Sequence, residues 1–147
     1  MKSRTDERQL TFEALFEIPE PPKPIGGSLN YDVELHHVIS DALKGSVRSR
    51  FEIAARMSEM LGVEITKNML DTWSAESRSN WRFPFEYAAA FEEAAGTYAL
   101  TELLARKRGA KIFIGAEALK AELGRLEMQE SELKRKKSLL KRHLEGK

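Results

Sequence analysis

Leucine recurs every seven residues at positions 119, 126, 133 and 140. A seven-residue apolar period fits neither a strand nor a short globular helix. It requires one continuous helix carrying the leucines on a single seam. The run predicts a long helix from Ala116 onward, with Leu119, Leu126, Leu133 and Leu140 at heptad position d. Ala116, Leu123, Glu130, Lys137 and Leu144 then occupy position a. Leu119, Leu123, Leu126, Leu133, Leu140 and Leu144 are the expected oligomerisation residues. In a parallel homodimer Glu130 and Lys137 would each face an identical charge, and Lys136 would oppose Lys141. Antiparallel, heteromeric and intramolecular packing stand beside that arrangement.

Upstream, apolar spacing and stop signals predict short helices. Leu35, Val38, Ile39 and Ala42 form one stripe over Asp32–Lys44. Ser49 and Glu52 have the spacing of a capping box, opening a helix through Phe51, Ala54, Met57 and Leu61 that Gly62 ends. Thr66 is an N-cap for a third helix with Met69, Leu70 and Trp73, followed by the polar stretch SAESRSN. A fourth helix is expected from Pro84 to Gly96 and a fifth from Thr97 to Gly109, closed by Arg106, Lys107 and Arg108. No alternating strand pattern competes. The expected fold is all-α: a compact domain of about five short helices over residues 31–115, then the long coiled-coil-like helix of 116–147.

Residues 1–30 read as a largely flexible arm. Leu10, Phe12, Leu15, Phe16 and Ile18 suit one amphipathic turn that docks on the domain or recruits a partner. Pro19, Pro21, Pro22 and Pro24 then impose an extended path, loosened by Gly26-Gly27. The leading MKSRTDERQL has no apolar h-region, so a secretory signal is not expected.

With no cysteine in 147 residues, disulfides, thiolate zinc sites and cysteine nucleophiles are excluded, and a reducing cytoplasm is the expected compartment. No apolar run reaches the ~20 residues of a membrane span. The net charge of +1 conceals its distribution. Residues 31–115 hold 11 basic and 12 acidic side chains, whereas 116–147 hold nine and six, so the positive excess lies in the C-terminal helix.

Ile53–Trp73 contains the parts of a helix-turn-helix. Ala54 or Ala55 is the small residue at the crossing, Gly62 marks the turn, Ile65-Thr66 opens the second helix, and Leu70 and Trp73 form its inner face. Lys67, Asn68, Asp71 and Thr72 are then expected to point outward. Lys67 suits guanine acceptors or phosphate, Asn68 adenine, and Asp71 cytosine N4, or it discourages a wrong register. Arg78 and Arg82 suit flanking phosphates.

Arg82–Lys111, RFPFEYAAAFEEAAGTYALTELLARKRGAK, resembles the second half of the phage CII-type regulatory proteins. There a helix-turn-helix precedes an apolar-rich helix, a Gly-(Asp/Thr)-Tyr turn and a Leu-rich helix ending in Gly. The matching elements are Pro84–Ala95, Gly96-Thr97-Tyr98, Leu100–Arg108 and Gly109. The resemblance covers roughly residues 33–111. It implies a lambda-repressor-like all-α domain that binds double-stranded DNA in a bacterial cell, with Thr66, Lys67, Asn68, Asp71 and Thr72 at the recognition-helix positions. The stretch from Ala55 to Gly62 is about one turn longer than the usual motif, and the turn Gly62–Ile65 is longer too, which implies a shifted angle between the two helices.

The remaining candidates read blandly. Trp73 is expected in the core. His36 and His37, being adjacent, point about 100° apart on a helix and cannot chelate together. Glu92-Glu93 is expected on a solvated face, and His143 in solvent. No nucleophile motif or phosphate-cradling loop is present. The expectation is therefore binding without catalysis, metal, cofactor or small-molecule substrate. A DNA-packaging adaptor of the small-terminase kind and a pure protein-interaction module are the alternatives.

Overall fold

The computed structural model describes residues 23–78 and 80–146. Leu10, Phe12, Leu15, Phe16 and Ile18 of the expected docking turn lie outside the described residues, as do Pro19, Pro21 and Pro22. Among the described residues there are six α-helices and no strand: α1 Asp32–Gly45, α2 Arg50–Leu61, α3 Lys67–Trp73, α4 Ala88–Ala95, α5 Ala99–Lys107 and α6 Ala116–Glu145. The all-α fold with a long final helix is as expected from sequence. Backbone contacts divide the chain into two units, one reaching Lys111 and the other starting at Ile112.

In the first unit, local signals set most helix ends. Ser49 Oγ accepts the Glu52 N–H while Glu52 accepts the Ser49 N–H, so the capping box is complete. Gly62 closes α2 and Gly96 closes α4 in the left-handed region, with φ of 68° and 75°. A side chain there is strained, whereas glycine is not. Thr66 Oγ1 accepts the Met69 N–H at 3.2 Å and opens α3.

The core forms where five helices face one another. Ile39 and Leu43 of α1, Ile53, Ala54 and Met57 of α2, Leu70 and Trp73 of α3, Phe91 and Ala94 of α4, and Leu100 of α5 make one buried cluster. α2 lies chiefly against α4, and α1 against α5. Trp73 meets Phe83 edge-on at 5.2 Å and Tyr87 at 6.1 Å, and Phe83 continues to Phe91 at 5.7 Å. Such edge contacts are favourable beyond the buried area.

Several expectations are corrected. The fourth helix does not begin at Pro84: a 3-10 turn spans Phe85–Tyr87, and α4 proper starts at Ala88. The fully buried line of α1 is His36, Ile39 and Leu43, and Leu35, Val38 and Ala42 flank it half-buried. Phe51, read as part of the apolar run of α2, is 69% exposed. Ala54 is the buried small residue, and Ala55 is exposed. Glu92 is not solvated. It is buried, with its carboxylate accepting the Thr101 N–H and hydroxyl, each at 2.8 Å. It thereby caps the first turn of α5, where free N–H groups and the helix dipole favour an anion. Glu93 is exposed.

Two other helix ends are closed from a distance. His36 Nδ1 lies 2.6 Å from the Trp73 carbonyl at the end of α3. A carbonyl only accepts, so Nδ1 carries the proton. Arg48 donates to the Ala94 carbonyl at 2.9 Å, near the end of α4. The second unit is dominated by α6, 30 residues that bury no side chain.

Candidate nucleic-acid interface

α2 and α3 are joined by the turn of residues 62–66, and Ser58 holds that turn. The Ser58 hydroxyl accepts the Ile65 N–H at 2.8 Å and lies 2.9 Å from the Ala54 carbonyl and 3.1 Å from that of Ile65. One hydroxyl thus ties the body of α2 to the residue entering α3. Ile65 itself is buried, so the long turn is anchored at both a polar and an apolar point.

The sequence-predicted site residues separate into groups. Asn68 is exposed and Lys67 half-exposed, both in the first turn of α3. Thr66 is consumed as the N-cap. Asp71 is engaged on both carboxylate oxygens, Oδ2 by Lys67 at 2.6 Å and Oδ1 by Arg50 of α2. Thr72 does not point outward as expected. It is buried, and its hydroxyl donates its one proton to the Asn68 carbonyl at 2.8 Å, so it has no donor left for a ligand. The physical reason is helical geometry: one residue beyond Asp71 rotates by ~100°, toward the side already holding Trp73.

Arg78 and Arg82 are exposed but belong elsewhere on the surface. Arg78 ends a 3-10 turn whose Glu76 pairs with His37 of α1. Arg82 lines a shallow groove with Asn30, Tyr31, Asp32 and His36. No hydrogen bond or ion pair joins either arginine to Lys67, Asn68 or Asp71 among the described residues.

Two participants escaped the sequence reading. Arg50 shares Asp71 with Lys67. Phe51 stands exposed with the Lys67 ammonium 5.7 Å from its ring centre, a cation–π distance. Both precede the motif's small-residue signal, and no local spacing links residue 50 or 51 to residue 67 or 71. The assembled face is therefore Arg50, Phe51, Lys67, Asn68 and Asp71: two cations around one carboxylate, an exposed ring and a free carboxamide. A carboxamide can give and accept one hydrogen bond each to an adenine edge, and a lysine retains spare donors beside a carboxylate.

The Lys67 ammonium hydrogen-bonded to Asp71 holds the Asp71 carboxyl below the ordinary aspartate value of 3.8, against the upward push of partial burial and with further help from Arg50. A depressed folded-state value means a contribution to stability that is present above the unfolded value and lost as pH falls through the folded one. D71N should therefore be less stable than the parent at neutral pH, with the gap closing below pH 3.8. Urea unfolding at a series of pH values measures it, and a gap that persists undiminished at pH 2 would contradict the assignment.

A cavity of about 490 Å3 opens beside α4 and α5 with Leu35, Phe83, Phe85, Leu100 and Leu103 among its walls. Its Glu92 and Thr101 already satisfy each other. Among the described residues no group of three or more His, Asp and Glu could hold a metal ion, and no helix is long and apolar enough to cross a membrane. No known protein family, curated protein or solved structure matches this chain.

Proposed function

We propose that the chain is a sequence-specific double-stranded DNA-binding regulator of the phage or prophage type, acting as a homo-oligomer through α6. The observation that carries the reading is the first turn of α3. Lys67 and Asn68 stand outward on a helix whose other face is locked by buried Leu70, Trp73 and the His36 contact. A recognition helix needs that combination, because base edges are read by side chains near its N-terminus while the rest of the helix fixes their position. The resemblance to CII-type proteins over Arg82–Lys111 supports the same reading.

Charge sets the expected affinity. The domain carries no positive excess, so phosphate neutralisation by a single copy is weak. The basic residues of α6, with Lys134, Arg135, Lys136 and Lys137 in succession, supply the surplus. Tight binding is expected only from the assembled full-length chain.

Selection of bound duplexes from a random library tests the proposal. An enriched short motif, with affinity that falls as salt rises, is the expected result. No enriched motif together with salt-independent affinity would overturn it and favour a protein-interaction module. A motif-free, salt-sensitive association by a many-membered ring would favour a packaging adaptor.

A further inference from the structure

We infer that α6 pairs with the α6 of a second copy in antiparallel orientation. The inference rests on the self-association proposed above and is independent of DNA binding.

The surface is plain. Leu119, Leu123, Leu126, Leu133, Leu140 and Leu144 fall on one stripe of α6 and are each 49–74% exposed. A stripe of this length and heptad spacing matches a second helix of the same kind. Charge decides the direction.

In a parallel pair every a residue meets its own copy. Glu130 would face Glu130 and Lys137 would face Lys137. At the flanks each g residue meets the e residue of the next heptad, so Glu122 would meet Glu127 and Lys136 would meet Lys141. Gln129 beside Lys134 is the remaining flank contact. Every contact between two charged groups in this arrangement is between like charges. The pairs within one helix, Arg125 with Glu122 at 2.5 Å and Lys134 with Glu130 at 2.6 Å, leave Lys137 unrelieved.

In an antiparallel pair a faces d. Aligning the seam about a two-fold axis between residues 131 and 132 puts Leu119 opposite Leu144 and Leu123 opposite Leu140. Leu126 then lies opposite Lys137, and Leu133 opposite Glu130. Neither charged a residue shares a layer with its own copy, and Lys137 stands about one turn from the partner's Glu130. The aliphatic stem of Lys137 covers Leu126 while its ammonium reaches that carboxylate. The flanks change sign as well. Glu127 meets Lys134, Glu122 meets His143, and Gln129 meets Lys136. Lys120 with Lys141 is the one like-charged pair left, at the outer ends. Lys134 then sits between its own Glu130 and the partner's Glu127.

The pairing also places what α6 carries. The two Ala116 residues lie about 46 Å apart at ~1.5 Å per residue. The two helical domains therefore join the pair at opposite ends, whereas a parallel pair would start both at one end.

Because the chain has no cysteine, single introduced thiols report the orientation directly. L119C and L144C are made separately in the full-length chain and oxidised alone or after mixing and exchange at equal amounts. In the antiparallel pair these two positions share a layer, close to the ~6 Å Cα separation of a disulfide. Two copies of residue 119 lie about 37 Å apart. The expected result is covalent dimer in the mixture, up to about half the chains by random pairing of equivalent copies, and almost none in either variant alone. E122C with H143C and a short bis-maleimide linker repeats the test outside the leucine seam. Dimer from L119C alone overturns the antiparallel orientation but leaves self-association standing. Monomeric mass in light scattering of the unsubstituted chain at every concentration overturns both. Dimeric mass without the mixed disulfide in either variant pair also overturns the orientation.

Discussion

Trp73→Ala is expected to remove about 3–5 kcal/mol of stability from the helical domain. A domain of this size has on the order of 5–15 kcal/mol in total, so the variant should be partly unfolded at room temperature or close to it. The indole is 4% exposed, with edge contacts to Phe83 and Tyr87. Truncation therefore loses both the transfer free energy and the packing, and leaves a cavity between α3 and the Phe83–Tyr87 segment. The Trp73 carbonyl also accepts from buried His36, so a shift of α3 opens a polar group inside the core. Trp81 is the natural control because it is 63% exposed. Trp81→Ala should change stability by less than ~0.5 kcal/mol. Guanidinium unfolding followed by near-ultraviolet dichroism measures the two. Equal effects at both positions would mean that α3 is not held by its tryptophan.

Asn68→Ala should lower discrimination between the selected DNA site and random DNA by about 5- to 150-fold, the worth of one good base contact at ~1–3 kcal/mol. Its side chain is exposed, so helix content and mass should not change. Lys67→Ala should weaken all duplexes together and flatten the salt dependence by about one unit of slope. It also removes one of the two cations on Asp71, with Arg50 left to satisfy the carboxylate. The pair of variants separates reading from anchoring. If Asn68→Ala keeps its full site preference while remaining folded, the first turn of α3 is not the reading element.

The caps and stops built from nearby residues were legible, although the local signal at Pro84 opened only a 3-10 turn. Ser49 and Glu52, Gly62, Thr66 and Gly96 each act through groups within a few residues, so their order in the chain already specified α2, α3 and the ends between them. The heptad leucines likewise required α6, because the helix that aligns them is set by backbone geometry alone. The misreadings have two causes. Phe51 and Glu92 sit where period and polarity say one thing and a neighbour from elsewhere in the chain says another, whereas Thr72 was misplaced on polarity alone. Phe51 is apolar on the outer side of α2, beside Lys67. Glu92 is charged yet buried because the free end of α5 needs an acceptor there. Thr72 is polar yet buried because its hydroxyl is satisfied within its own helix.

The candidate site divides in the same way. The sequence by itself determined that residues 66–73 form a capped helix with Leu70 and Trp73 inward and Lys67 and Asn68 in its first turn. Only the tertiary structure decided that Arg50 and Phe51 join that face, that Asp71 is already occupied, and that Arg78 and Arg82 belong with α1. The reason is range. Caps, turns and apolar periods are short-range interactions whose partners are close in the chain. Ion pairs and distant caps, such as Arg50 with Asp71 across 21 positions or His36 with Trp73 across 37, exist only once packing brings their helices together.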